Sequence, residues 1–270
     1  MAPAARARQR TLVAATAMHD DKQPLRAQEL RFFATAPRAC SYLPDRSAIS
    51  VFADPDARLS SAVYQQLAAF GFRRSGNDLY VPACPGCSEC IPVRIPVRQF
   101  TRSRNQQKIW NRNRDLDVRA LPAAYRDEHF DLYARYLSGR HPGGGMDQPT
   151  PDDYMNFLTS SWCETLFIEF RLADRPVAVA VTDRLGDALS AVYTFFDPTL
   201  ARRSLGTYSV LRQVELGRTL GCDWHYLGYW IAGCGKMEYK NRFRPLQAYR
   251  HGNWVMLGPR PGAAADSDQS

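Results

Sequence analysis

The sequence predicts an α+β protein built from a smaller first part and a larger second part. Three strand-like segments between residues 165 and 196 are joined by short turns, which favours an antiparallel meander. A segment with apolar residues at helical spacing follows over residues 208–220, and the strand-like segment WHYLGYW comes after it. Before residue 100 the periodic segments are shorter, which indicates a small sheet-plus-helix module.

The first part begins near Leu30 with the strand-like segment LRFFATA. Asp54 or Asp56 is the predicted N-cap of a helix that ends at Gly71. The segments FRRS and LYVP on either side of Gly76-Asn77 predict a hairpin, and IPVRIPV alternates like a further strand. This module is expected to end near residue 100.

In the second part, Ser103 is predicted to open a basic helix that runs to about Asp115. Helices over 125–137 and near 152–161 precede the meander, and LQAYRHGNWVML predicts one last strand. We therefore expect a flexible lead-in over residues 1–28, an N-terminal domain over 29–102, a larger domain over 103–257 and a disordered tail over 258–270.

The order of elements in the larger domain is that of an acetyltransferase-like (GNAT) core: antiparallel strands, a glycine-containing loop, a long helix and one more strand. The loop is Arg202–Thr207. The N-terminus of a helix offers backbone N–H groups and the positive end of the helix dipole to an anion. The loop is therefore a predicted binding site for an anionic donor substrate.

Positive charge is concentrated in one segment. The chain has 35 Lys and Arg against 27 Asp and Glu, a net charge of +8. Residues 91–119 contain eight basic and two acidic side chains, so this segment supplies +6 of that surplus. Its helix places Arg104, Lys108 and Arg112 at a spacing of four residues, which forms one positive stripe. The pattern favours a polyanionic partner such as nucleic acid over a merely solvated face.

The spacing of the cysteines allows two interpretations, a metal site or a set of reduced thiols that binds no metal. Cys84, Cys87 and Cys90 form a C-x2-C-x2-C motif, and Cys40 lies on an upstream turn. Four thiolates suit zinc or an iron–sulfur cluster, whereas three reduced turn cysteines would need no metal. Seven cysteines, an odd number, do not indicate a disulfide framework, and no segment approaches the length of a membrane span. We expect a cytoplasmic protein with no membrane partner.

Six segments in order resemble the bacterial aspartate/glutamate leucyltransferases of the arginyl-tRNA–protein transferase family. They are CSYLPDRSA (40–48), LYVPACPGCSECIPVRIPV (79–97), FTRSRNQQKIWNRNRDL (100–116), SLGTYSVLRQ (204–213), YLGYWI (226–231) and MEYKNRFRP (237–245). The resemblance implies an N-terminal ATE-type domain followed by a GNAT-like transferase domain. It further implies transfer of leucine from leucyl-tRNA to the N-terminal amine of proteins starting with Asp or Glu, as in the N-degron pathway, with no DNA partner and no cofactor required for the chemistry.

The predicted site follows from that reaction. The backbone at Gly206 and Thr207 is expected to stabilise the oxyanion, and Arg203, Lys240 or Arg242 to select the acceptor carboxylate. The candidates for proton transfer are Asp197, Tyr226, Glu238 and Tyr239. The candidates for tRNA binding are Arg102, Arg104, Lys108, Arg112 and Arg114.

Three alternatives remain open from the sequence. Arginyl-tRNA would be the donor if the chain behaved like eukaryotic members of the family. An acyl-CoA N-acetyltransferase would grip a pyrophosphate with the Arg202–Thr207 loop, although Tyr208 stands where such loops usually have a second small residue. A non-catalytic RNA-binding module would bind RNA without modifying a peptide.

Overall fold

The computed structural model describes residues 30–140 and 149–258. The predicted lead-in (1–28) and all but the first residue of the predicted tail (258–270) lie outside the described residues. No helix among the described residues combines the length and apolarity that a membrane crossing requires.

The N-terminal module contains a four-stranded antiparallel sheet, a two-stranded ribbon and one helix. Its elements are β1 (Phe32–Ala34), β2 (Arg38–Ala39), β3 (Ser47–Ala48), β4 (Ser50–Ala53), α1 (Ser61–Ala69), β5 (Arg73–Ser75) and β6 (Asp78–Pro82). The sheet order is β1-β4-β6-β5, and β2 pairs with β3. The predicted hairpin at Gly76-Asn77 is confirmed, since Ser75 pairs with Asp78. The predicted N-cap of α1 was wrong: Ser60 caps the helix by accepting from the amide of Val63.

An eight-stranded sheet forms the centre of the larger part. Its strands are β7 (Ile91–Pro96), β8 (Asp117–Pro122), β9 (Thr165–Leu172), β10 (Arg175–Leu185), β11 (Ala188–Phe196), β12 (Trp224–Trp230), β13 (Gln247–Arg250) and β14 (Asn253–Met256). The order is β14-β13-β7-β12-β11-β10-β9-β8, and the meander β9–β11 is confirmed as antiparallel. The predicted single last strand is a hairpin, β13–β14, because His251 and Gly252 both have positive φ and reverse the chain.

β11 and β12 are the one parallel pair among the described strands of this sheet. They pair over three residues only, from Ala188 opposite Trp224 to Ser190 opposite Tyr226. Beyond that point β11 continues to Phe196 and β12 to Trp230 without pairing to each other. A gap therefore opens between the C-terminal halves of these two strands.

Four of the helices in the described part of the chain accompany the large sheet. They are α2 (Arg104–Arg112), α3 (Asp127–Arg140), α4 (Pro151–Leu158) and α5 (Leu205–Thr219), and three short 3-10 helices span Val97–Gln99, Pro198–Arg203 and Glu238–Arg242. The predicted start of α2 is confirmed: Ser103 and Gln106 form a reciprocal capping box.

Alternation along β10 shows which helices cover which face. Val179 and Val181 lie in a buried cluster with α3 and α4, whereas Ala178 and Ala180 lie in a cluster with α2 and α5. Successive residues of a strand point to opposite faces, so these helix pairs cover opposite faces of the sheet. The N-terminal module packs through a third cluster that includes Tyr226.

The two parts are joined more extensively than the sequence indicates. β7, predicted as the last strand of the N-terminal module, is hydrogen-bonded between β13 and β12 of the large sheet. The N-terminal module is also joined to the sheet by a fully buried ion pair between Arg74 and Asp183, 2.6 Å apart. β7 thus precedes the predicted division at residues 102 and 103 but belongs to the sheet of the larger part. The division itself stays a prediction.

Candidate active site

The N-terminus of α5 is the first component of the candidate site. Ser204 adopts a left-handed conformation there (φ 53°) and provides no side-chain cap to the helix. The first amides of α5, including those of Gly206 and Thr207, therefore belong to a helix end that no capping side chain occupies. Such an end carries partial positive charge and suits a developing oxyanion.

A cavity of about 120 Å³ lies at this helix end. Three segments form it: the start of α2, the start of α5 and the 3-10 helix Glu238–Arg242. Its lining residues are Ser103, Asn105, Gln106, Ile109, Ser204, Thr207, Tyr239, Arg242 and Phe243. Three residues predicted from the sequence, Thr207, Tyr239 and Arg242, are thereby brought together. Ser103, Gln106 and Phe243 were not predicted as site residues.

The basic face of α2 borders this cavity. Arg104 and Lys108 are exposed and line an open depression together with Ser103 and Asn105, two residues that also line the cavity. Neither Arg104 nor Lys108 forms an ion pair with another described residue. A polyanion bound along α2 would therefore reach the cavity directly.

Two of the other three cations predicted to bind tRNA are already engaged by the protein. Arg102 pairs with Glu215 at 2.9 Å and lies 3.6 Å above the ring of Trp110. Arg112 donates to the carbonyl of Arg202, although its side chain is exposed. Arg114 is exposed. Arg104 and Lys108 are thus the members of the predicted stripe best placed to meet phosphates at the cavity.

Hydrogen bonds hold α2 against the other walls of the cavity. Gln106 donates to the carbonyl of Arg242 at 3.1 Å, and Asn113 donates to the carbonyl of Arg203 at 2.8 Å. Asn113 is fully buried. α2 is therefore fixed near one end to the 3-10 helix Glu238–Arg242 and near the other to the loop before α5.

Two residues predicted to handle protons lie outside the cavity. Asp197 caps the 3-10 helix Pro198–Arg203 by accepting from Thr199, and it pairs with Arg175 at 3.1 Å. Burial alone would raise the pKa of Asp197, but these contacts hold it below its ordinary value. Such a carboxylate stays ionised and engaged, so the geometry supports a capping role and not the predicted role in proton transfer.

Tyr226 is the second of these residues. It is buried in the cluster shared with the N-terminal module, and its hydroxyl accepts a hydrogen bond from Arg94 at 3.3 Å. Burial raises the pKa of the phenol above its ordinary value although Arg94 opposes the shift. Glu238 starts the 3-10 helix beside the cavity, but the cavity lining includes Tyr239 and not Glu238. Tyr239 is thus the predicted proton-transfer candidate that the geometry supports best.

The predicted acceptor cations are separated by the fold. Arg203 forms a bidentate ion pair with Asp115, with both distances 2.8 Å, and this hydrogen-bonded carboxylate raises the pKa of the guanidinium. Lys240 is 7% exposed and donates to the carbonyl of Tyr229 at 2.7 Å. Arg242 alone of the three lines the cavity. The side chains of two consecutive residues of the 3-10 helix thus have different surroundings: Tyr239 lines the cavity, whereas Lys240 is buried against β12.

The predicted metal-binding cysteines are free and half-buried. Burial, followed by the charges of Cys84, Cys40 and Cys87, raises the pKa of the Cys90 thiol to about 12, which indicates that the four thiols are neighbours. No three of their sulfur atoms lie within 4.8 Å of one another; among the described residues only Glu128, His129 and Glu169 meet that criterion. Arg171 pairs with the carboxylates of Glu128 and Glu169, so a cationic side chain already neutralises part of the charge of this group.

Comparison with known proteins shows which family the chain resembles. Residues 38–108 match the family described as "Arginine-tRNA-protein transferase, N terminus". Residues 128–250 match the family described as "Arginine-tRNA-protein transferase, C terminus". The chain is 49% identical to the aspartate/glutamate leucyltransferase of Hahella chejuensis, covering 84% of this chain and 97% of that protein. It is 52% identical to the aspartate/glutamate leucyltransferase of Chromohalobacter salexigens, covering 84% of this chain and 93% of that protein.

Solved structures are less similar. The structure of L-PGS from Bacillus licheniformis has a TM-score of 0.43 at 12% identity, covering 64% of this chain and 51% of that one, a similarity too low to establish a shared fold. The two family descriptions together span most of the described residues, and the curated relatives are matched over nearly their whole length. The chain belongs to the arginine-tRNA-protein transferase family.

Proposed function

We propose that this protein transfers leucine from leucyl-tRNA to the N-terminal α-amine of proteins that begin with Asp or Glu, which marks them for degradation in the N-degron pathway. The observation that carries the proposal is the cavity at the uncapped start of α5, bordered by the exposed cations of α2, in a chain whose relatives are named aspartate/glutamate leucyltransferases. We propose that it acts in the cytoplasm, where charged tRNA is found.

The reaction makes modest demands on the site. The acceptor amine attacks the ester carbonyl carbon, a C–N bond forms, and the ester C–O bond breaks as the ribose hydroxyl leaves. One proton leaves the amine and one reaches the ribose oxygen, so the transfer needs no redox step. The ester is already activated, and holding both reactants in place supplies much of the acceleration.

Residues at the cavity can perform these steps. Phosphates of the tRNA acceptor end would lie along Arg104 and Lys108, and the exposed Arg242 adds a third cation at the cavity. The amides of Gly206 and Thr207 would donate to the tetrahedral oxyanion. The phenol of Tyr239 lies at the cavity and is our candidate for protonating the departing ribose oxygen.

We also propose a GNAT-like fold for the larger part. The order of β9, β10, β11, α5 and β12 supports it, as does the parallel pairing of β11 with β12 on either side of α5 in sequence. In such a fold the donor binds at the helix start and its reactive group enters between the two strands. The cavity at the start of α5 and the gap between β11 and β12 support this proposal.

One assay separates the proposed function from its alternatives. Purified protein is incubated with labelled leucyl-tRNA, arginyl-tRNA or acetyl-CoA and a peptide that begins with Asp. We expect label from leucyl-tRNA to appear on the peptide, and no transfer when the same peptide carries a blocked α-amine. Transfer from acetyl-CoA or from arginyl-tRNA instead would contradict the choice of donor. RNA binding without any peptide modification would contradict the enzymatic function.

The four neighbouring cysteines carry a separate proposal. We propose that Cys40, Cys84, Cys87 and Cys90 hold zinc or an iron–sulfur cluster in a structural or redox-sensing role. The proximity of the other three thiols to Cys90 supports it, although the sulfur atoms would have to move closer to bind a single zinc ion. No step of the transfer reaction depends on this group.

A further inference from the structure

Two buried cations lie at the gap between β11 and β12. Arg73, on β5 of the N-terminal module, and Lys240, on the 3-10 helix Glu238–Arg242, are each 7% exposed. The position that a β-carbon on Gly228 would occupy is 3.5 Å from Arg73 Nε and also 3.5 Å from Lys240 Nζ. The two charges are therefore at most twice that distance apart, on one side of β12.

Neither cation has a carboxylate partner among the described residues. Arg73 donates through Nη2 to the carbonyl of Ala191, and its Nη1 is buried without any hydrogen-bond partner. Lys240 contacts the carbonyl of Tyr229 and the sulfur of Met237. Burial, and then the charge of Arg73, lowers the pKa of Lys240 to about 7. Buried charges of one sign are costly unless a counter-charge is supplied.

The adjacent residue shows what a satisfied arginine looks like in this fold. Arg74 is equally buried but makes two contacts of 2.6 Å with the carboxylate of Asp183, and further bonds to Thr165 and to the carbonyl of Leu158. The fold thus provides an internal carboxylate for Arg74 and none for Arg73. The unsatisfied Nη1 of Arg73 indicates a position for an external anion.

The location of the pair suits an incoming chain end. Ala191 is the residue directly after the last paired position of β11, so Arg73 sits where the parallel pairing stops. Gly228 has φ +82° and no side chain, and its missing β-carbon would stand at ordinary contact distance from both cations. The absence of a side chain at Gly228 therefore leaves space for one small group beside the backbone of β12, in contact with both Arg73 and Lys240.

We infer that Arg73 and Lys240 together bind the side-chain carboxylate of the acceptor's first residue, with Gly228 leaving room for it. This inference rests on the proposed function, which supplies an acceptor that carries a carboxylate. It assigns acceptor selection to a residue of the N-terminal module acting with one of the larger part. Arg242 and the start of α5, which lie at the cavity, are left to the tRNA.

Two other readings make different predictions. If Arg73 and Lys240 only satisfy the carbonyls of Ala191 and Tyr229 where the strands separate, their loss would lower stability and would reduce transfer to every acceptor alike. If they bind a phosphate of the tRNA, their loss would weaken tRNA binding. Selection between charged and neutral acceptors distinguishes the carboxylate from both.

The experiment measures leucine transfer to peptides that differ only in the first residue, Asp against Asn and Glu against Gln. The variants are Lys240→Met and Arg73→Lys, with Lys236→Met as the matched control. Lys236 lies on the same segment, four residues earlier, and is exposed. Thermal unfolding and tRNA binding are measured for each protein. Arg73→Lys keeps the charge and removes the forked donor, so it provides a second test should Lys240→Met fail to fold.

We expect the Asp-over-Asn preference of Lys240→Met to fall by about 30-fold or more, since removing one partner of a buried charge contact has at least that effect. The loss should appear mainly in KM for the charged peptides, with the Asn peptide and tRNA affinity changed by no more than a few fold. Arg73→Lys should reduce the preference by a smaller factor, and Lys236→Met should leave it unchanged.

Three outcomes would overturn the inference. An unchanged preference in both variants would place the selecting cation elsewhere. An equal loss on Asp and Asn peptides, with lower thermal stability, would identify a structural plug. A loss of tRNA affinity would assign the pair to a phosphate. Absence of leucine transfer by the unmodified protein is a different result, since it would contradict the proposed function itself.

Discussion

Neutralising two exposed cations of α2 should weaken tRNA binding by an amount that the structure allows to be worked out. Arg104 and Lys108 line the depression beside the cavity and pair with no described acid, so each is available for a phosphate. Each phosphate contact contributes about 0.7–0.9 to the slope of log affinity against log salt. The variant Arg104→Gln with Lys108→Gln should therefore lower that slope by about 1.4–1.8.

This change in slope has a directly measurable consequence. Between 50 and 200 mM salt, the affinity of the unmodified protein should fall about 7- to 12-fold more than that of the variant. The assay is fluorescence anisotropy of labelled tRNA at four or more salt concentrations. The matched control is Arg119→Gln with Arg184→Gln, which removes the same charge from two largely exposed side chains on β8 and β10, each paired with an acid.

The result that would refute this reasoning is equal salt slopes for the unmodified protein and the α2 variant. A reduced slope in the control variant as well would show that total charge, and not the position of the cations on α2, sets the affinity. Because both α2 side chains are exposed, the free energy of unfolding should change by less than about 0.5 kcal/mol.

Three further predictions concern stability and metal binding. Arg74→Met should lower the free energy of unfolding by about 3–5 kcal/mol in urea titrations, because it leaves the fully buried Asp183 without its cation; the double variant with Asp183→Met should recover most of it, and no recovery would contradict the ion-pair explanation. Burial lowers the pKa of His225 to about 3, whereas an unfolded histidine titrates near 6.5. The free energy of unfolding that is present above pH 6.5 should therefore fall as the pH falls towards 3, by up to about 1.4 kcal/mol per pH unit. His225→Gln should reduce this slope, and an unchanged slope would assign it to other groups. Anaerobically purified protein should contain about one equivalent of zinc or one iron–sulfur cluster that Cys87→Ser with Cys90→Ser removes, whereas metal far below stoichiometry by elemental analysis would leave the cysteines without that role.

Much of the fold follows from local patterns. The β9–β11 meander has apolar strand-like segments and short turns, and Ser103 with Gln106 is a capping box that the sequence displays. The hairpin β13–β14 was missed although His251-Gly252 offered a turn signal, because the flanking residues alternate well enough to pass for one strand. The position of β7 depends on its long-range pairing with β12, which local spacing does not encode.

The site was predictable only in part, for a different reason. Thr207, Tyr239 and Arg242 were found because they lie in motifs whose order is specific. Spacing does not show which side of a short 3-10 helix faces a cavity, so Lys240 was grouped with Arg242 although it is buried. Arg73 was missed because two arginines in a hairpin strand resemble an exposed face, and only the packing of the N-terminal module on the sheet buries them.

The attachment of α2 at both ends has a consequence for how the enzyme responds to its substrate. Gln106 holds this helix to the carbonyl of Arg242, and Asn113 holds it to the carbonyl of Arg203 just before α5. Residues of both segments also line the cavity, so a displacement of α2 would move two of the cavity walls. If tRNA binds along α2 as proposed, its binding and the shape of the cavity are coupled, and we expect a short leucyl ester without the tRNA body to be a poorer donor than leucyl-tRNA.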